Sequence, residues 1–222
     1  MRVILFGATG MIGAGTLIEC LASQQVSAIL VIGRRPSGVK DPRLREIARD
    51  DLSNLADIQN ELRGYDACFF CLGVSSVGMT EEAYRRVTRD LTLAVARTLA
   101  AVNPGSTFCY ISGQGADSSE RGRTMWARVK GETENRLLEL PLKAFMLRPG
   151  YIQPLKGVRS RTGWYQAFYN VMGPLYPLIR RIAPRSVTNT AAVGRAMIRL
   201  AEGGYPRQIL ENPDINALAA QP

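Results

Sequence analysis

The 222-residue chain contains no histidine. That absence removes Ser-His-Asp triads, HExxH zinc sites and histidine proton shuttles. Any acid or base must then be a Tyr, Lys, Cys or carboxylate. Cysteine is scarce as well, with only Cys20, Cys68, Cys71 and Cys109. Cys68 and Cys71 look like half a zinc site, but they sit in the apolar run Ala67-Cys68-Phe69-Phe70-Cys71-Leu72. Residues three apart on a strand point to opposite faces, so these thiols do not readily share a metal. Reduced, buried structural cysteines are expected, which fits a reducing compartment. No uninterrupted apolar run reaches the ~18 residues of a spanning helix. No targeting pattern precedes the strand-like Met1-Arg2-Val3-Ile4-Leu5-Phe6, so the expectation is a cytoplasmic protein.

Acidic residues are thin in one third of the chain. Residues 141–210 carry eleven Lys/Arg against the single acid Glu202, and this stretch accounts for the net charge of +9. No recognised DNA or RNA module accompanies it, so no nucleic-acid partner is expected. The basic third suits a phosphorylated ligand, an anionic membrane surface or an acidic partner, with a solvated arginine-rich surface as the alternative.

At 46% apolar composition the chain can bury a sizeable core, and a single domain over 1–222 is expected. Strand-like runs at 2–6, 28–32, 67–72, 107–111 and 144–148, with a weak one at 45–48, alternate with helical patterns. The helices are expected near 11–23, 54–61, 80–102, 123–139 and 188–202. This order predicts an α/β fold, a Rossmann-type doubly wound parallel sheet covered on both faces. Segment 151–187 breaks the rhythm with Trp164, Tyr165, Phe168, Tyr169, Met172, Leu175 and Tyr176, interrupted by Pro174, Pro177 and Pro184. Its apolar stripe predicts two short helices forming a small substrate-side cap; membrane-surface contact through 164–182, or a dimer face, is the alternative.

Gly7-Ala8-Thr9-Gly10-Met11-Ile12-Gly13 follows the first strand and opens a helix. In that context glycines serve a tight turn, close approach to a pyrophosphate and helix–strand packing, and helix amides meet the anion. Strand two ends in Gly33-Arg34-Arg35-Pro36, without the Asp or Glu that an NAD ribose diol usually meets. Two guanidiniums there suit the 2′-phosphate of NADP(H). Asp51 and Leu52 are expected to border the adenine ring, and Leu72 and Gly73 to give a backbone shelf beside the cofactor.

Taken in order, the glycine loop, Tyr110-Ile111-Ser112-Gly113, Val129-Lys130-Gly131-Glu132 and Leu147-Arg148-Pro149-Gly150 resemble the short-chain dehydrogenase/reductase superfamily. The likeness covers nearly the whole chain and points to the atypical branch that includes the Tat-interacting oxidoreductase-like proteins. It implies that Ser112 polarises a substrate carbonyl, that Lys130 holds the nicotinamide ribose, and that Pro149-Gly150 flank the carboxamide with backbone amides. The family's tyrosine, four residues before the lysine, is replaced here by Trp126, whose indole cannot act as a general acid. Three readings follow. The first is an NADP-dependent reductase of a carbonyl or enone using another donor, with Lys130, Tyr151 and Tyr110 as candidates. The second is a non-catalytic NADP(H)-binding redox sensor or regulatory protein. The third is an epimerase-like isomerase of a nucleotide-linked substrate, with arginines 159, 161 and 180 on its phosphates. Lys130 also admits a plain role as the i+4 ion-pair partner of Glu134. A small-molecule substrate, anionic if the basic third faces it, is the expected partner.

Overall fold

Val3 and Leu5 point to one face of the first strand and Ile4 and Phe6 to the other, and all four are buried. A strand apolar on both faces belongs inside a sheet with a layer on each side. The computed structural model describes residues 1–155 and 186–221 and has that architecture. In chain order its elements are β1 (Arg2–Phe6), α1 (Met11–Ala22), β2 (Ala28–Gly33), β3 (Leu44–Ala48), α2 (Gln59–Leu62), β4 (Ala67–Phe70), α3 (Glu81–Arg85) and α4 (Leu91–Val102). There follow β5 (Thr107–Ile111), α5 (Met125–Leu138), β6 (Lys143–Arg148), β7 (Tyr151–Gln153), β8 (Val187–Asn189), α6 (Thr190–Gly203), β9 (Ile209–Glu211) and α7 (Asn212–Ala219).

Seven strands form one parallel sheet in the order β3-β2-β1-β4-β5-β6-β9. Its order reverses between β1 and β4, where Phe6 pairs with Phe70. Ligands of open α/β sheets bind beyond the carboxyl ends of the strands at such a switch point. On one face, Val3, Leu5, Phe69, Cys109 and Leu147 pack under α1, α6 and α7 through Leu17, Val193, Met197 and Ile215. On the other, Phe6, Phe70, Phe108, Tyr110 and Met146 pack under α4 and α5 through Leu93, Val95, Leu99 and Leu137. Cys68 belongs to the second face and Cys71 packs against the first, so the two thiols diverge.

Several boundaries differ from expectation. The fourth strand stops at Phe70, because Cys71 makes its last ladder-like bond, to Phe6 O, before the chain turns away. The helix expected at 54–61 is a 3-10 turn, Ala56–Ile58, followed by the four-residue α2. Residues 81–102 run continuously but pass through a π-helical turn at Arg86–Asp90. Three short strands and α7 were not expected; β7 and β8 pair as a separate parallel ribbon. The cap helices expected within 151–187, the aromatic stripe 164–182 and arginines 159, 161 and 180 lie outside the described residues.

Candidate dinucleotide and substrate site

The turn after β1 is built for close approach. Gly7 adopts φ +83°, and a Cβ there would lie 2.8 Å from the Cys71 carbonyl carbon and oxygen. At Gly13 a Cβ would lie 2.1 Å from Gly7 O, so the first turn of α1 rests directly on the loop. Gly10 caps this helix, with no side-chain cap bond and no acid in the first turn. Met11 and Ile12 therefore begin a helix whose N-terminal amides keep their partial positive charge for an outside anion.

A cavity of about 330 Å³ opens against this turn. Gly7, Ala8 and Thr9 line it from the loop, Gly33, Arg34 and Arg35 from the end of β2, Asp50 and Leu52 from beyond β3, and Leu72 from beyond β4. Arg34 and Arg35 are exposed and make no ion pair or hydrogen bond among the described residues. The structure thus brings Thr9, both arginines, Leu52 and Leu72 together with the glycine turn. It does not put Asp51 or Gly73 on the cavity wall. Asp51 instead closes an Asx-type turn, accepting from Ser53 N at 2.8 Å and Ser53 Oγ at 2.6 Å, contacts that lower its pKa. The acid that does face the cavity is Asp50; the sequence pointed to its neighbour Asp51, and nothing local distinguishes the two adjacent aspartates.

The second half of the site lies beyond β5. Ser112 is buried, and its hydroxyl has no hydrogen-bond partner among the described residues. Lys130, on the inner side of α5, donates from Nζ to Ile111 O and Ser112 O, each at 3.2 Å. The same ammonium stands 5.2 Å from the centre of the Tyr110 ring. Burial of this charge pulls the Lys130 pKa down to about 8, while Glu134 acts in the raising direction. Glu134 is not paired with Lys130: its fully buried carboxylate accepts from Arg148 Nε at 3.0 Å and from Arg148 Nη2. The plain i+4 ion pair is replaced by a strand–helix bridge that leaves the lysine directed at β5.

Trp126 occupies the position one turn before Lys130. Its six-membered ring lies against the loop after β5, within 3.9 Å of where a Gly113 Cβ would sit and 3.6 Å of a Gly115 Cβ. Tyr110 is a core residue, 1% exposed, with its ring centre 6.3 Å from that of Phe70. Burial raises its phenol pKa strongly, which sets it aside as a proton donor. Tyr151 is half-buried and its Oη bonds Gln153 Oε1 at 2.8 Å. The turn at Pro149 also departs from expectation. Gly150 N already donates to Asn212 Oδ1 at 3.1 Å and Tyr151 N to Ser186 O at 2.9 Å, so those amides are engaged within the protein. Pro149 offers only its carbonyl, which accepts from Gln114 N at 3.0 Å.

No family model matches the chain. Among curated proteins it is similar to Protein HTATIP2 of Rattus norvegicus, 29% identical over 153 residues, covering 68% of this chain and 62% of the rat protein. It is also similar to Protein FMP52, mitochondrial, of Saccharomyces cerevisiae, 30% identical over 168 residues, covering 73% of this chain and 69% of the yeast protein. The chain thus spans less than two thirds of the rat relative, and about half of a biosynthesis-cluster protein from Purpureocillium lilacinum at 52%. Two solved structures share the fold. One is a UDP-N-acetylglucosamine 4-epimerase from Methanobrevibacter ruminantium, with TM-score 0.68 and 17% identity over 92% of this chain and 74% of that one. The other is Bordetella bronchiseptica WbmF in complex with NAD+, with TM-score 0.65 and 14% identity over 97% and 76%. The fungal relatives overturn one expectation. FMP52-type proteins of five fungi are named as mitochondrial, which points away from the cytoplasmic placement inferred from the N-terminal residues alone.

Proposed function

Because this chain belongs to the FMP52 family, an atypical branch of the short-chain dehydrogenase/reductase relatives, we propose that it binds NADP(H) and reduces a small carbonyl or enone compound. The observation that carries the reading is the cavity in which two guanidiniums, Arg34 and Arg35, without partners among the described residues, face the Gly7 turn. The residues present fit a dinucleotide. The cradle around Gly7 and Gly13 has no room for a side chain, and the start of α1 has no internal anion among the described residues. In this reading Gly7, Gly10 and Gly13 admit the diphosphate, Thr9, Met11 and Ile12 frame it, and Arg34 and Arg35 bind a 2′-phosphate bidentately. Leu52 and Leu72 give the apolar walls of the adenosine half. The NAD+ bound by WbmF, which shares the fold, supports a nicotinamide dinucleotide as the ligand class.

A nicotinamide held there would supply hydride chemistry at the substrate carbon; the protein's part is to hold the substrate oxygen and deliver its proton. Ser112 Oγ, buried and without a partner among the described residues, donates to the substrate oxygen. A buried hydroxyl left unbonded costs free energy that such a ligand recovers. Lys130 has two of its three N–H groups on Ile111 O and Ser112 O, leaving one for a ribose hydroxyl or the substrate. With a pKa near 8, its Nζ gives up a proton more readily than an exposed lysine, so it takes over the role of the family's tyrosine. The names of the fungal relatives support mitochondrial residence.

The second reading, an NADP(H)-binding sensor without turnover, is favoured by one observation: Trp126 fills the sequence position, four residues before Lys130, that the resemblance assigns to the family's tyrosine. Both readings meet in one assay. NADPH oxidation against a carbonyl panel is followed for wild type, Lys130→Ala and Trp126→Tyr. Turnover in wild type, lost in Lys130→Ala with NADPH still bound, supports the reductase. Binding without turnover in wild type, or activity confined to Trp126→Tyr, refutes it in favour of the sensor.

A further inference from the structure

The chain has nineteen acidic residues, and all lie within the described structure. Among the described residues, each accepts a hydrogen bond or forms an ion pair except one, Asp50, and that one lines the cavity at the switch point. Its neighbours are engaged elsewhere. Arg49 is spent on Asp57 at 2.7 Å, Asn54 O at 2.9 Å and Asp51 O at 3.1 Å, and Asp51 on Ser53. Asp50 is exposed at the mouth of the cavity. Across the same cavity Arg34 and Arg35 are equally unpaired among the described residues. A carboxylate and two guanidiniums free on one rim are opposed instructions to a nucleotide. Guanidiniums attract a phosphate dianion, whereas a carboxylate repels it and accepts from a ribose diol.

We propose that Asp50 is a specificity-determining residue for the dinucleotide, supplying from beyond β3 the diol-reading acid that β2 lacks. It thereby narrows the preference for the 2′-phosphorylated form that Arg34 and Arg35 create. The inference rests on the dinucleotide-binding reading above and concerns which form that site takes. NADH is accepted as well as NADPH, and removing the charge of Asp50 shifts the balance toward NADPH from both directions: less repulsion of the phosphate and one acceptor fewer for the diol.

The test is calorimetric titration of wild type, Asp50→Asn and Asp50→Glu with NADPH and with NADH. For Asp50→Asn, the ratio Kd(NADH)/Kd(NADPH) rises about three- to tenfold, the size expected of one charge facing a dianion across a water-filled rim. Asp50→Glu, which keeps the charge, stays within about twofold of wild type on the same electrostatic ground. An unchanged ratio in Asp50→Asn overturns the assignment. So does an equal weakening of both dinucleotides, which would mark an adenine contact instead. If wild type binds neither dinucleotide, the cofactor-site reading itself is refuted, and the role of Asp50 falls with it. An unaltered ratio in a variant that still binds refutes the role of Asp50 alone.

Discussion

Lys130 offers the sharpest physical test of the substrate half of the site. Its ammonium is enclosed by two backbone carbonyls and the Tyr110 ring, and burial lowers its pKa to about 8. In the unfolded chain a lysine titrates near ~10.4. Between these values the unfolded state binds more protons than the folded state, so this residue makes stability rise with pH across that window. Below pH 8 both states are protonated and its full cost is present; above about 10.4 both are neutral and the cost is gone. Lys130→Met keeps the stem and removes the titration. From pH 7 to pH 10 the linkage relation gives a relative gain for wild type of about 2 kcal/mol, allowing for the residue being only half-buried. Urea unfolding of both proteins at the two pH values measures it, because every other titrating group cancels in the difference. A gap between wild type and Lys130→Met that stays constant within about 0.5 kcal/mol, well under the linkage figure, refutes the desolvated ammonium.

Arg34→Ala and Arg35→Ala each weaken NADPH about 10- to 100-fold by the loss of a charge-assisted bond, with NADH little changed; calorimetry reads both. Gly13→Ala drives a Cβ into the Gly7 carbonyl, 2.1 Å away, and is expected to abolish binding of both dinucleotides and to lower the melting temperature. Glu134→Ala leaves the Arg148 guanidinium, 11% exposed, with only Glu211 at 3.4 Å and Ser118 Oγ at 2.6 Å, at a cost of about 3 kcal/mol seen in chemical unfolding. If Lys130 is the proton donor, the reductase rate falls as pH rises through about 8, and a profile flat from pH 6 to 9 would contradict that role.

Much of this was legible in the residues because period-two burial and glycine spacing are local signals. Val3 through Phe6 and the Gly7–Gly13 turn could be placed from the chain alone; Ser112 and Lys130 were singled out by the family resemblance, and the fold sets Lys130 Nζ 3.2 Å from Ser112 O. What escaped was set by tertiary geometry. β9 has three residues, too few for a periodic pattern, although Glu211-Asn212-Pro213-Asp214 carries a capping-box signal for α7 that could have been read. The π-helical turn at Arg86–Asp90 leaves no mark in a helix-period pattern. The competition of Asn212 for the Gly150 amide spans 62 residues and is invisible in sequence. Asp50 and Asp51 are adjacent and chemically alike; only the fold decides which faces the cavity and which ties off a turn with Ser53.

We propose that the start of α1 holds a dinucleotide diphosphate, with a 2′-phosphate beside Arg34 and Arg35. Isothermal titration of the intact protein with NADPH and NADH tests it most directly. Saturable one-site binding is predicted, tighter for NADPH. Absence of heat with both dinucleotides, in protein shown to be folded, would contradict it.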